Sequence, residues 1–253
     1  MAVDLQKAGM WKRMAAWMLD TILLVVLAVG MGALVALLLG YDAHSEALSS
    51  AYDRYEAEYG VVLDISQQEY LELTEQQRQQ YDAAYKALTA DESVIYTYNV
   101  VINQTLLMIS LGLLLSTLAL EFVIPLWLGN GQTIGKKIFA LGVIRTDGVR
   151  LTALQLFVRT LLGKFTIEIM LPVYLAIMAF FGIVGLPGTL VLLGLALAQL
   201  ILLAVTANHS VIHDLLAGTV VVDIASQQIF KSTDDLIAYT KWIHAEQAAR
   251  KDY

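Results

Sequence analysis

The 253-residue chain contains no cysteine. That excludes disulfides, thiol nucleophiles and cysteine-ligated zinc. Charge is scarce as well: 15% of residues are charged, whereas 58% are hydrophobic, against roughly 45–50% apolar in an average soluble domain. The net charge of −7 argues against a polyanionic partner, so no nucleic acid is expected. What the chain has in excess is apolar sequence, and it falls in long runs. The lipid bilayer is therefore the expected solvent. The first run, Met14–Leu39, is too long for the apolar region of a cleaved signal and is expected to remain as a first span.

Four spans are expected. Residues 14–40 form the first, interrupted only by Asp20, and residues 99–128 the second, interrupted only by Glu121. The run Ile169–Ala207 is long enough for two crossings, and Gly185-Leu186-Pro187-Gly188 divides it. That gives spans at 169–186 and 188–208. Lys7, Lys12 and Arg13 precede the first span, and Lys136, Lys137, Arg145, Arg150, Arg159 and Lys164 follow the second. The loop at 41–98 instead carries twelve acidic residues against Arg54, Arg78 and Lys86. Positive charge stays on the cytoplasmic side. Residues 1–13, the loop at 129–168 and the tail at 209–253 are thus expected inside, and residues 41–98 outside. A bacterial cytoplasmic (inner) membrane is the expected location. Trp17 and Trp127 then fall at the inner interface.

The fold class expected is an all-α membrane protein with a helical extracytoplasmic loop, a short cytoplasmic β-hairpin and an interfacial amphipathic helix. In the outer loop, Ser66-x-x-Glu69 and Thr74-x-x-Gln77 have the pattern of helix capping boxes. Tyr52, Tyr55 and Tyr59 share one helix face, and Tyr81, Tyr85 and Leu88 another; the two faces are expected to close on each other as a helical hairpin. In the inner loop, Leu141–Thr146, Asp147-Gly148 and Val149–Leu151 read as two strands around a type I′ turn. Thr152-x-x-Gln155 is a further capping box, followed by Leu154, Phe157, Val158, Leu161 and Leu162 at helical spacing. This stretch reads as an amphipathic helix in the interface or as the start of the third span. Gly131 to Lys137 superficially resembles a phosphate-binding loop. Asn130 stands where the first glycine belongs, however, and Lys137 where a Ser or Thr is needed. Nucleotide binding is rejected.

The charges that interrupt the apolar runs carry the functional signal. A charge near the bilayer centre costs about 2.5–3.5 kcal/mol on insertion scales, so it is usually paired and turned inward. Arg13 and Asp20, seven residues apart, fall on nearly one helix face and are expected to pair. By topology Glu121, Arg159, Glu168, His209, His213 and Asp214 all reach the inner-leaflet level with Asp20. Two readings follow: ion pairs that lock helix ends in register, or a cation or proton site built on the carboxylates and histidine. His209 and His213 have metal-ligand spacing but no assured third ligand, so no metal is expected. Ala28, Gly32, Ala36 and Gly40 form a small-residue stripe for helix packing, within the protein or in a dimer.

At these residues the chain resembles the RDD family of membrane proteins. Arg13 and Asp20 match the arginine and first aspartate of its pattern. Gly131-x-Thr133-x-Gly135-Lys136-Lys137, then Leu141-Gly142-Val143-Ile144 and Asp147-Gly148, resemble its central motif. Arg159 sits where such proteins carry an arginine. His213-Asp214-Leu215-Leu216-Ala217-Gly218-Thr219 with Val220–Val222 resembles its closing motif, with Asp214 as the second aspartate. The resemblance implies a membrane role, with transport proposed and sodium–proton exchange suggested for some members. Two functions are carried forward. One is a membrane scaffold or assembly partner, acting through the outer hairpin and the basic inner face on a membrane-protein partner. The other is a small transporter or exchanger of Na+ or H+ using Asp20, Glu121 and Asp214, which with four spans would require a homo-oligomer. No nucleophile–base pair or cofactor motif is found, so neither an enzyme nor a cofactor is expected.

Overall fold

The computed structural model describes residues 5–183, 185–206 and 209–251. The expected end of the fourth span at 207–208, the first four residues and the last two lie outside the described residues. The chain forms two compact units: residues 1–27 with 114–253, and residues 28–113.

Four helices are long and apolar enough to cross a membrane: α1 (Met10–Leu39), α5 (Glu92–Leu128), α7 (Ala153–Phe180) and α8 (Gly185–Val205). Between them come α2 (Tyr41–Tyr59), α3 (Gln67–Glu72), α4 (Glu75–Ala90), α6 (Ile134–Ile138) and β1 (Leu141–Arg145). After them come α9 (Ile212–Ala217), β2 (Thr219–Asp223) and α10 (Thr233–Lys251). The long helices present large apolar side chains outward; Trp127 is 84% exposed and Phe180 86%. Lipid is the environment in which such a surface is stable.

Of the two readings of the stretch after Thr152 the structure takes the second, the start of the third span, and the division before α8 is revised. The amphipathic stretch after Thr152 and the third span expected from residue 169 are one uninterrupted helix, starting at the Thr152–Gln155 capping box. The division before the fourth span falls at Phe181–Gly182, where Gly182 has φ +68°, rather than at Pro187. Pro187 lies in the first turn of α8, where its missing N–H has no intrahelical acceptor to lose. The other two prolines each follow a π-helical segment. Leu118–Val123 precedes Pro125, and Val158–Met170 precedes Pro172. A proline ring clashes with the carbonyl four residues back, and the wider i→i+5 register relieves that crowding.

In the unit at 28–113, both outer-loop capping boxes form: the Ser66 and Thr74 hydroxyls accept from the N–H groups of Glu69 and Gln77. Leu63, Ala84, Leu88 and Val94 make the core, with Tyr52, Tyr55, Tyr59 and Tyr81 around it. These tyrosines close on each other as expected, whereas Tyr85, 53% exposed, stays outside the core. Ala28 and Gly32 of the small-residue stripe are used within the chain, whereas a Cβ on Gly40 would meet nothing within 4 Å. A Cβ on Gly112 would lie 2.9 Å from the Ala28 carbonyl oxygen and 3.1 Å from the Gly32 nitrogen.

In the other unit, β1 pairs antiparallel with β2, from Leu141 opposite Asp223 to Arg145 opposite Thr219. Alternation puts Leu141, Val143 and Val221 on one face with Ala8 and Ala16. Ile144, Val220 and Val222 occupy the other. Both faces are covered, which explains the unbroken apolar strands. The reversal at Asp147-Gly148 is present: the Arg145 N–H donates to Val149 O (2.9 Å) and the Gly148 N–H to Arg145 O (3.0 Å). It is a three-residue loop rather than the type I′ turn expected. Gly148 has φ +87°, while Asp147 is not left-handed, and type I′ requires both.

Candidate functional site

Asp20, Glu121 and Asp214 are all buried, and each is held by a different cation. Asp20 projects from α1 onto the start of α6. Its Oδ2 accepts from Thr133 Oγ1 (2.5 Å) and its Oδ1 from the Gly135 N–H (2.8 Å). Lys136 Nζ is 3.7 Å from the same carboxylate and 3.2 Å from Thr133 Oγ1. Thr133 caps α6 by accepting from the Lys136 N–H. The aspartate thus sits on the exposed donors of a helix start, where a negative charge is favoured. Gly135 is required there, because a Cβ would run into the Ala16 carbonyl and come within 2.9 Å of the Asp20 carboxyl group. Gly131 is fixed for a similar reason: it has φ +60°, and a Cβ would lie 2.9 Å from Val143 Cβ. The spacing Gly131-x-Thr133-x-Gly135-Lys136 is therefore a seat for Asp20.

Asp214 is the most enclosed of the three, 1% exposed. Arg159 Nη2 lies 3.0 Å from its Oδ1, and Thr219 Oγ1 donates to the same oxygen at 3.0 Å. Arg13 Nη2 is 4.0 Å from Oδ2 and donates to the His209 carbonyl at 2.7 Å. Burial alone would push the Asp214 carboxyl up, but Arg159 first, then His213, the Thr219 hydrogen bond and Arg13, hold it below its ordinary value. Gly218, at φ +63°, ends α9 and turns the chain into β2.

His213 joins this centre to α7. Glu168 accepts from the His213 backbone N–H (3.1 Å) and lies 2.7 Å from its Nδ1; Nε2 lies 2.8 Å from Arg159 Nη2. Burial first, then Arg159, pushes the imidazole below its ordinary value. With a guanidinium against Nε2 and a carboxylate against Nδ1, the ring accepts from Arg159 and donates to Glu168. Gly163 makes room for it, since a Cβ there would lie 2.5 Å from His213 Cβ.

The third pair is Glu121 with Lys164, and the Glu121 carbonyl also accepts from Thr160 Oγ1 at 2.9 Å. Both partners stand on π-helical segments, whose wider turns are frequent at functional sites. Sequence reasoning missed this pair. Glu121 is marked by its apolar surroundings, but its pairing with Lys164 depends on which elements meet.

Two further expectations change. Arg13 and Asp20 take different ion-pair partners, Asp214 and Lys136. Seven helical residues rise about 10.5 Å, so each side chain meets the neighbours at its own depth. His209 and His213 do not share a helix: His209 has φ +50°, and α9 begins at Ile212. Among the described residues, no three His, Cys, Asp or Glu side chains are grouped to hold a metal ion. Asp147, the other motif acid, binds Arg145 at 2.6 Å in the turn, partly exposed and outside these pairs.

The sequence model of the RDD family matches residues 7–218. That interval holds Arg13, Asp20, the Asp20 seat, Arg159 and Asp214. No curated protein and no solved structure matches the chain.

Proposed function

The chain belongs to the RDD family and is an integral membrane protein, and from that premise we propose that it is a membrane scaffold or assembly partner. The observation that carries this reading is the separate pairing of Asp20 with Lys136, Glu121 with Lys164 and Asp214 with Arg159. A cation entering any of these places would have to displace a resident ammonium or guanidinium. Fixed ion pairs that hold helix ends in register suit a platform better than a carrier. In this reading the termini are cytoplasmic, residues 41–98 lie outside, and a partner membrane protein docks on the outer helical hairpin and the basic inner face. Cysteines placed singly at Ser50 and Ser232 test the orientation: an impermeant thiol reagent on intact cells labels position 50 only. Labelling at position 232 reverses it.

A second reading, a small cation–proton exchanger acting as a homo-oligomer, draws on the hydrogen-bonded series Glu168, His213, Arg159 and Asp214. Flux separates the two. Purified protein in liposomes is expected to give no sodium-driven proton movement above protein-free vesicles. Sodium-dependent flux that is abolished by Asp214→Asn, in a variant retaining fold and oligomeric state, establishes the exchanger instead. Deletion of residues 45–92 is expected to release a partner while leaving the inner ion pairs intact.

A further inference from the structure

The ion pairs border a cavity of about 10 Å³, and a space of that size holds one water molecule. Its polar lining is Glu121 on α5, Thr133 and Lys136 at α6, and Arg159, Thr160 and Lys164 on α7. Arg159 is 7% exposed, and its Nη1 is a buried donor with no hydrogen-bond partner among the described residues. Leaving such a donor unpaired costs more than an ordinary hydrogen bond gains. The neighbouring groups have bonding capacity left over. Lys136 has three N–H donors; one reaches Thr133 Oγ1 at 3.2 Å, and Asp20 is distant at 3.7 Å. Lys164 takes Glu121 Oε1, which leaves Oε2 to accept. The Thr160 hydroxyl gives its hydrogen to the Glu121 carbonyl and keeps its own lone pairs.

Charge decides what can enter. Lys136, Lys164 and Arg159 each face a carboxylate, that of Asp20, Glu121 and Asp214 respectively. Cations and anions therefore balance around the cavity, and the group that suits it is neutral and able both to accept and to donate. We propose that one ordered water fills this space and joins the three ion pairs into a single network. Its oxygen accepts from Arg159 Nη1 and Lys136 Nζ, and its two hydrogens go to Glu121 Oε2 and Thr160 Oγ1. A buried water commonly makes about three such bonds, and up to about four. The water links the Asp20 seat at α6 to the Arg159–Asp214 centre on α7 and to Glu121 on α5. It serves a fixed platform and an exchanger alike, so its presence does not depend on the choice between them.

The test is diffraction from crystals of the full-length protein, grown with bromide in place of chloride and at a resolution that shows ordered water. The expected result is one peak of water height, about 2.7–3.2 Å from Arg159 Nη1, with no anomalous bromide signal. Absence of a peak, or Arg159 Nη1 turned onto a protein acceptor, overturns the proposal. A bromide signal overturns it too, since the place is then an anion site. Val143 lines the same cavity, and Val143→Ile reads the water in solution. The added methyl group competes for the space and strands Arg159 Nη1. The detergent-purified variant is therefore expected to melt a few degrees lower, with the peak lost from its own crystals. Filling a dry void stabilises a protein instead, so an unchanged or raised melting temperature shows a dry space and overturns the proposal.

Discussion

Residues 1–27 with 114–253 and residues 28–113 form two compact units, and they hold their helices by opposite means. In the first, carboxylates and cations are buried and paired across elements far apart in sequence, as with Arg159 and Asp214 or Lys164 and Glu121. In the second, helix contact rests on small residues, with Gly112 against Ala28 and Gly32, and on a neutral hydrogen bond from Gln104 Nε2 to the Leu39 carbonyl (2.9 Å). An ion pair of this unit, Arg54 with Asp91 at 3.0 Å, has an arginine side chain 58% exposed. The difference shows where specificity resides. A glycine contact fixes distance and makes no demand on chemical identity. A buried charge admits only its complement, so the paired unit also carries nearly all the motif residues.

The largest expected effect is therefore loss of charge in the paired unit. Asp214→Asn leaves Arg159 buried without its counter-ion, and breaking a buried pair in this way costs about 3–5 kcal/mol. Thermal unfolding of the detergent-purified protein reads the loss. Combining it with Arg159→Met is expected to cost less than the sum of the two changes. Strict additivity would show that the two residues stabilise the fold separately and would remove the contrast between the units.

Glycine substitutions give the next largest effect, and they apply one measure to both units. Gly112→Ala forces a methyl group against the α1 backbone, and Gly135→Ala forces one onto the Ala16 carbonyl and Asp20. Each is expected to cost about 1–3 kcal/mol by overpacking. At Gly194 a Cβ would meet nothing within 4 Å, so Gly194→Ala should be neutral or stabilise by up to about 1 kcal/mol through helix propensity. Equal losses at all three positions would mean that close approach is not what these glycines provide.

How much of this is legible in the sequence follows the same division. Isolated charges in apolar runs mark Asp20 and Glu121, and the resemblance to the RDD family motifs marks Thr133, Gly135, Arg159 and Asp214. The tyrosine faces and capping boxes of the outer loop are legible because each is a local pattern of three or four residues. Partner choice is not legible, because it depends on which elements meet. Lys164 and Glu168 read as loop residues for that reason, and the third span is expected only from residue 169. With Glu121 and His213 as partners, both are tolerated inside a continuous helix. The alignment of β1 with β2 is hidden likewise, since more than seventy residues separate the strands. A bilayer-facing surface is a property of composition; a charge network is a property of topology.

The smallest expected effect lies in the second unit and concerns pH. Asp91 separates α4 from α5. Its Oδ1 accepts from the Ser93 hydroxyl (2.6 Å) and backbone N–H (2.9 Å), and its Oδ2 from Tyr55 (3.0 Å). The Ser93 hydroxyl first, and then Tyr55, lower the carboxyl from 3.8 to about 2. A carboxyl depressed in the folded state contributes stability that is present above its unfolded value and is lost as pH falls through the folded one. The Asp91 contribution should therefore be whole at about pH 5 and fade between about pH 4 and pH 2. The group is partly exposed and its partners are all within this unit, so the change is local: the junction of the two helices loosens while the paired unit is unaffected. Carboxyl carbon-13 shifts of Asp91 would follow the titration directly. Tyr55→Phe removes one of the donors and should move the midpoint upward from about 2 toward 3.8. An unchanged midpoint would show that Ser93 and the other partners of Asp91, Arg54 among them, hold the carboxylate without it, and that the tyrosine contributes only its ring to the hairpin.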